Sequence, residues 1–167
     1  MEEHFFFFWD GPFGQWYESD FVIDGITYNT AEQYMMASKA LMFEDQAMLE
    51  AIMETSCPSV QKSLGRKVAG FVQERWNAQA REIVYRGNYA KFTQCRYLLN
   101  LLLRTDGLTL VEASPYDRIW GIGLLESDPR ALKRETWRGL NWLGETLTRV
   151  RGDLIAERGA SALMAAD

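Results

Sequence analysis

Histidine is almost missing from this 167-residue chain: His4, close to the amino terminus, is the only one. That removes triads built on a histidine base, histidine-rich zinc sites and most imidazole acid–base schemes, so catalysis has to rest on carboxylates or lysine. Cysteine is scarce too. Cys57 and Cys95 lie far apart without ligand spacing, which points to a reduced, cytosolic protein. Long apolar runs are lacking, since Phe5 to Trp9 and Leu101 to Leu103 fall far short of the ~20 residues of a membrane span. Glu2 and Glu3 stand where an export signal carries basic residues, and the apolar run after them stops at Asp10. No phosphate-binding P-loop pattern occurs, and the Gly121–Gly123 pair lacks the third glycine of a dinucleotide fingerprint, which argues against an NTPase or a Rossmann oxidoreductase. Ligand clusters are missing as well, so no metal and no organic cofactor is expected.

What is present is a 47% hydrophobic chain with 13% aromatic residues and six Trp, enough for one substantial core with rings left over to line a pocket. One domain is expected over residues 1–154, followed by a short frayed tail at 155–167. The net charge of -5 conceals a strong imbalance. From Lys62 to Arg104 nine basic residues face only Glu74 and Glu82, whereas eleven acids before Lys62 are accompanied by Lys39 alone. The basic segment offers a place for phosphate, and Lys39 is a lone amine among acids.

Local signals predict the elements. Phe5 to Trp9 is a buried strand, and Phe21 to Tyr28 is a hairpin turning at Asp24-Gly25. Thr30 and Gln33 form a capping box before a helix over Ala31–Phe43. Further helices are expected over Glu44–Thr55, Ser59–Leu64, Val72–Tyr85 and Tyr89–Leu103, the last two separated by Gly87-Asn88. A strand at Leu108–Val111 and a helix over Asn141–Arg151 follow.

Two places concentrate chemistry. In Ser114–Gly123 a carboxylate, Asp117, precedes an indole, Trp120, by three residues, with glycines behind that let a ligand approach the backbone. An acid beside a flat aromatic wall suits a sugar joined to a base, although the same pattern serves a capped loop over core tryptophan. In the first helix Glu32 and Lys39 are seven apart and share a face. Glu32 lies in the first turn, where open N–H groups and the dipole favour an ionised carboxylate. Lys39, partly desolvated beside Tyr34, Met35, Met36 and Phe43, is expected to have a lowered pKa, with Glu32 pushing the other way.

The ordered series Phe21, Gly25, Tyr28, Thr30-Ala31-Glu32-Gln33-Tyr34-Met35, Lys39-Ala40, Gly65-Arg66, Trp76, Lys91-Phe92, Val111-Glu112, Ser114-Pro115, Asp117, Trp120-Gly121, Gly123, Trp137, Gly139, Asn141 and Leu143-Gly144 resembles the YbiA-like, or NADAR, family. The resemblance implies a single mainly helical α+β domain with helices around a small sheet. It also implies N-glycosidase activity, on ribosylamine intermediates of riboflavin synthesis or on ADP-ribose attached to guanine. By the same resemblance Glu32, Trp76, Asp117 and Trp120 match the family's catalytic pocket, with Lys39 and Arg66 beside them; Glu32, Lys39 and Asp117 are expected to be catalytic, Trp76, Trp120, Arg66, Gly121 and Tyr34 to bind substrate, and Trp137 and Asn141 to support packing. Phe13-Gly14-Gln15-Trp16 departs from the family's Phe-Ser-Asn-Phe, and Gly-Ile-Gly replaces the Gly-Asp-Gly of some riboflavin-pathway members.

Breaking a ribosyl C–N bond builds positive charge on the sugar, so Glu32 and Asp117 would stabilise it while the indoles hold the base and Arg66 a phosphate. A second route has Lys39 form a Schiff base with the opened sugar. The expected partners are a small ribosyl phosphate or an ADP-ribosyl adduct, with nucleic acid only as a modified substrate and no membrane. A non-catalytic module binding ADP-ribose or NAD derivatives, and a structural interaction protein using its aromatic surface, are the remaining alternatives.

Overall fold

The computed structural model describes residues 2–164. Its strands are β1 (Phe5–Phe8), β2 (Phe21–Ile23), β3 (Ile26–Tyr28) and β4 (Thr109–Glu112), and its helices are α1 (Ala31–Met42), α2 (Gln46–Glu54), α3 (Pro58–Gly65), α4 (Gln73–Thr93), α5 (Arg96–Leu103) and α6 (Trp142–Met164). This mainly helical α+β content is the class expected. The strands form two pairs, β1 with β4 and β2 with β3. The chain divides into two compact units, one of Asp10–Cys95 and one of the segment through Trp9 together with Arg96 onward. Among the described residues no helix is long and apolar enough to cross a membrane.

In the unit Asp10–Cys95, Asp24 and Gly25 take positive φ angles of 51° and 78°, the geometry of a type I′ turn, and close the antiparallel β2–β3 hairpin. Helix α1 starts where predicted, because Thr30 Oγ1 accepts from the Gln33 N–H at 3.0 Å. The Gln33 side chain departs from the capping box. Its Oε1 accepts from Asn29 N–H, and its Nε2 donates to the carbonyls of Ile52 and Thr55, tying α1 to the end of α2. Packed against α2, α3 and α4, α1 is buried at every residue from Ala31 to Ala37, which is what a central helix requires.

The expected break at Gly87-Asn88 is absent, and α4 runs through it to Thr93. Tertiary packing overrides the local signal. A Cβ on Gly87 would come within 2.6 Å of Tyr34 Cδ1, so the glycine serves the α1–α4 approach. Asn88 is fully buried and donates to its own helix at Val84 O, 2.9 Å away.

In the other unit, β1 and β4 pair in parallel with Phe5 opposite Thr109 and Phe8 opposite Glu112. Val111, Ala113, Ile122, Leu124 and Ala131 form a core under Phe5, Phe7 and Trp137. Helix α6 packs on β4 through close contacts. Asn141, with φ of 54°, accepts from Glu112 N–H on Oδ1 and donates from Nδ2 to Leu110 O, while Thr148 Oγ1 accepts from Leu110 N–H. The support roles expected for Asn141 and Trp137 fit these contacts, the Trp137 indole donating to Ala131 O at 2.8 Å. The expected tail at 155–167 is instead a continuation of α6 as far as Met164. Alanines at 156, 160 and 162 favour helix over fraying. Residues 165–167 lie outside the described residues.

One burial has a measurable consequence. Lys91 is fully buried, and desolvation pushes its ammonium from 10.5 down to about 7. Its Nζ donates to Gly14 O at 2.8 Å and lies 5.6 Å from the Tyr17 ring and 5.0 Å from the Phe92 ring. Between the two pKa values the unfolded chain holds a proton that the folded chain has released. Stability therefore rises with pH across this window, by up to about 1.4 kcal/mol per pH unit, and levels off below about 7, where both states hold the proton. Denaturant unfolding at about pH 7 and about pH 9 should show this slope in the wild type and a much flatter one in Lys91→Met. Equal slopes would contradict it.

Candidate active site

Glu32 is the second residue of α1 and only 6% exposed. Its N–H, expected to stand open in the first turn, donates to Gln15 O at 2.9 Å. The helix dipole still favours a carboxylate at this end. Two turns along the same helix, Lys39 is half-buried with its Nζ 4.4 Å from the Phe71 ring and 5.7 Å from the Trp76 ring. Desolvation pushes the Lys39 ammonium below the usual lysine range. The Glu32 carboxylate pulls it up, and the Arg66 guanidinium pushes it further down. The expected opposition between burial and Glu32 is therefore present. The enclosing rings, however, are Phe71 and Trp76, with Phe43 edge-on to Phe71 at 5.3 Å.

Trp76 is buried on the first turns of α4, and Arg66 is exposed at the C-cap of α3. Lys39, Glu32, Arg66 and Trp76 thus form one cluster within the unit Asp10–Cys95. Tyr34 does not join it. Its ring is 5% exposed, edge-on to Tyr28 at 5.0 Å and to Phe21 at 6.2 Å, in the core of this unit. Its place in the helix, two residues after Glu32, turns it toward the β2–β3 hairpin.

Asp117, Trp120 and Gly121 belong to the other unit. Asp117 Oδ1 accepts from the N–H groups of Ile119 and Trp120 at 2.9 and 2.8 Å, so this carboxylate holds the turn that presents the indole. Trp120 is half-buried and meets Trp142 edge-on at 5.5 Å. Gly121 is buried against its own loop, where an added Cβ would lie 3.0 Å from both Asp117 O and Glu112 O. Its missing side chain is explained by this backbone approach.

Sequence reasoning passed over Phe71, whose placement directly before α4 and after Gly70, at φ of 70°, was the available signal. It also passed over exposed Trp16, under the Lys62 ammonium at 5.9 Å. Among the described residues no three His, Cys, Asp or Glu side chains are grouped to hold a metal.

Residues 6–155 match the NADAR domain. The chain is 40% identical over 131 residues to protein irg-1 of Caenorhabditis elegans, covering 77% of this chain and 62% of that protein. It is 42% identical over 144 residues to an N-glycosidase of Acanthamoeba polyphaga mimivirus, covering 83% and 85%. A riboflavin biosynthesis protein of Zea mays, chloroplastic PYRR, is 32% identical over 146 residues, which are 83% of this chain but 22% of the maize protein. The solution structure of Escherichia coli YbiA shares the fold, with a TM-score of 0.77 and 28% identity over 95% of this chain and 89% of that one. The match to the domain spans both compact units and nearly the whole described chain, and this protein therefore belongs to the NADAR domain family.

Proposed function

We propose that this protein is a hydrolase of the N-glycosidase class that releases a base or amine from a phosphorylated ribose, with riboflavin-pathway ribosylamino-pyrimidines as its substrates. The N-glycosidase class agrees with the names of the mimivirus and YbiA relatives, and the riboflavin assignment with that of the maize relative. The observation that carries the chemistry is the Lys39 amine, lowered in basicity by burial under Phe71 and Trp76 and set two turns from Glu32. An amine with reduced proton affinity is the nucleophile a carbonyl-like carbon needs.

A ribosylamine opens to an imine at C1. Lys39 adds its nitrogen there, and the base departs as an amine, taking the proton that the Lys39 nitrogen gives up through the Glu32 carboxylate. Water then adds to the Lys39 imine, which collapses to the free aldehyde sugar and the original amine. The net change is one water consumed and one C–N bond broken. Arg66, exposed beside this centre, is placed to take the 5′-phosphate.

A second substrate, ADP-ribose joined to guanine, is favoured by Trp16 and Lys62, an exposed indole and a cation that suit an additional base and phosphate. Purified protein incubated separately with a ribosylamino-pyrimidine phosphate and an ADP-ribosyl-guanine oligonucleotide, followed by mass spectrometry, tests both. Released base with free ribose 5-phosphate is the expected result. Release of ADP-ribose alone selects the second substrate. Binding without release from either marks a non-catalytic module and ends the proposal.

A further inference from the structure

Lys91 is not among the residues that the proposed chemistry uses, yet it occupies an expensive position. Its side chain is fully buried, and no carboxylate pairs with it among the described residues. Burying an amine without an acid is unfavourable, and a methionine of similar length would fill the space at lower cost. The side chain is justified by what it holds. Lys91 and Asn88 are three apart on α4 and so share a face. They grip consecutive residues of the loop before β2, Lys91 Nζ on Gly14 O at 2.8 Å and Asn88 Nδ2 on Gln15 Oε1 at 2.9 Å. Gly14 N–H donates to Gly11 O, and the Gly14 carbonyl also accepts from Tyr17 N–H at 3.3 Å. The carbonyl of Gln15 then takes the Glu32 N–H at 2.9 Å, and the Gln15 amide reaches Met35 Sδ at 3.8 Å.

We propose that Lys91 is a positioning residue for Glu32, acting from α4 through the Gly14–Gln15 loop onto the first turn of α1. It rests on the assignment of Glu32 to the reaction centre. The connection is continuous: Lys91 Nζ to Gly14 carbonyl, Gly14 to Gln15 through one peptide bond, Gln15 carbonyl to the Glu32 amide. Loss of the Lys91 donor leaves the Gly14 carbonyl buried without its strongest partner, and the loop that fixes the Glu32 backbone relaxes. A displacement of about 1 Å at a proton-transferring carboxylate is enough to cost about 100-fold in rate.

The test is a double-mutant cycle read with amide exchange. Turnover of the ribosylamino-pyrimidine phosphate by Lys91→Met, checked for folding by circular dichroism, should fall by about 10- to 100-fold with KM within about threefold of wild type. In a Glu32→Gln background the same change should cost no further activity, because the carboxylate it positions is gone. The Glu32 amide should also exchange faster in Lys91→Met. Wild-type turnover by folded Lys91→Met, or losses that multiply in the double mutant, would overturn the proposal. Should Lys91→Met fail to fold, Gln15→Ala removes the Asn88 grip and is held to the same non-additivity. Should the wild type cleave neither glycoside, the assigned function falls, whereas Glu32 exchange still decides the positioning: faster exchange in Lys91→Met supports it and unchanged exchange refutes it.

Discussion

Borohydride added during turnover should attach the sugar covalently to the wild-type protein and leave Lys39→Ala unlabelled, with turnover by Lys39→Ala reduced about 1000-fold or more. The size follows from the role. A nucleophile that forms a covalent intermediate has no local substitute, because the next lysine, Lys62, stands by Trp16. Glu32→Gln should slow turnover by about 100- to 10,000-fold, the range for a lost proton carrier, and should also raise the fraction of neutral Lys39, whose ammonium the carboxylate stabilises. The pH dependence gives the sign. Removing a nearby anion lowers the Lys39 pKa further, so the basic-side rise in labelling should move to lower pH in Glu32→Gln. Near-normal turnover by Lys39→Ala with no trapping in wild type would instead leave direct hydrolysis, with a carboxylate such as Glu32 stabilising the developing sugar cation, as the route.

Gly144→Ala should destabilise the protein by about 3 kcal/mol or more, lowering Tm by about 10 °C. An alanine is ordinarily favoured over glycine in a helix by about 1 kcal/mol, so the sign has to be argued. A Cβ at this position would lie 2.2 Å from Leu110 O, 2.4 Å from Asn141 Oδ1 and 2.6 Å from Asn141 Nδ2. None of these is the far end of a flexible chain. Leu110 is held in β4, and both Asn141 atoms are engaged with the β4 backbone. Separating α6 from β4 to admit the methyl would break those bonds and leave buried polar groups unmatched, each at about 1–3 kcal/mol. Gly152, on the same helix, has open space around it, so Gly152→Ala should be neutral or stabilising by up to about 1 kcal/mol. Thermal unfolding of the two variants side by side makes the comparison. Equal Tm values would contradict the packing described for α6 on β4.

The parts of the fold that were legible in the sequence are those fixed by neighbours in the chain. Asp24-Gly25 sets its own turn, and Thr30 caps its own helix. The misreadings occur where a distant residue decides. Gly87 looks like a helix end until Tyr34 is seen against it, and Asn88 bonds within its own helix and to Gln15 rather than terminating anything. For the site, the spacing of Glu32 and Lys39 revealed their shared face because helical period is local. The aromatic enclosure did not follow from spacing, since Phe71 and Trp76 reach Lys39 from another segment. Tyr34 shows the same limit in reverse: two residues from Glu32 in sequence, it points to the hairpin. Lys91 was visible only as a motif position, because nothing local marks a lysine that will be wholly enclosed.

The parallel pairing of β1 with β4 bears on how the chain is made. Trp9 through Leu108 intervenes between the two strands, so on the ribosome the Phe5–Phe8 segment emerges first and waits for its partner until synthesis has passed Glu112. Closing so long an interval is entropically slow, and four consecutive phenylalanines with an unmatched backbone edge are a template for association with other nascent chains. Early yield in cells should therefore depend on chaperone capacity more than the stability of the finished protein would suggest.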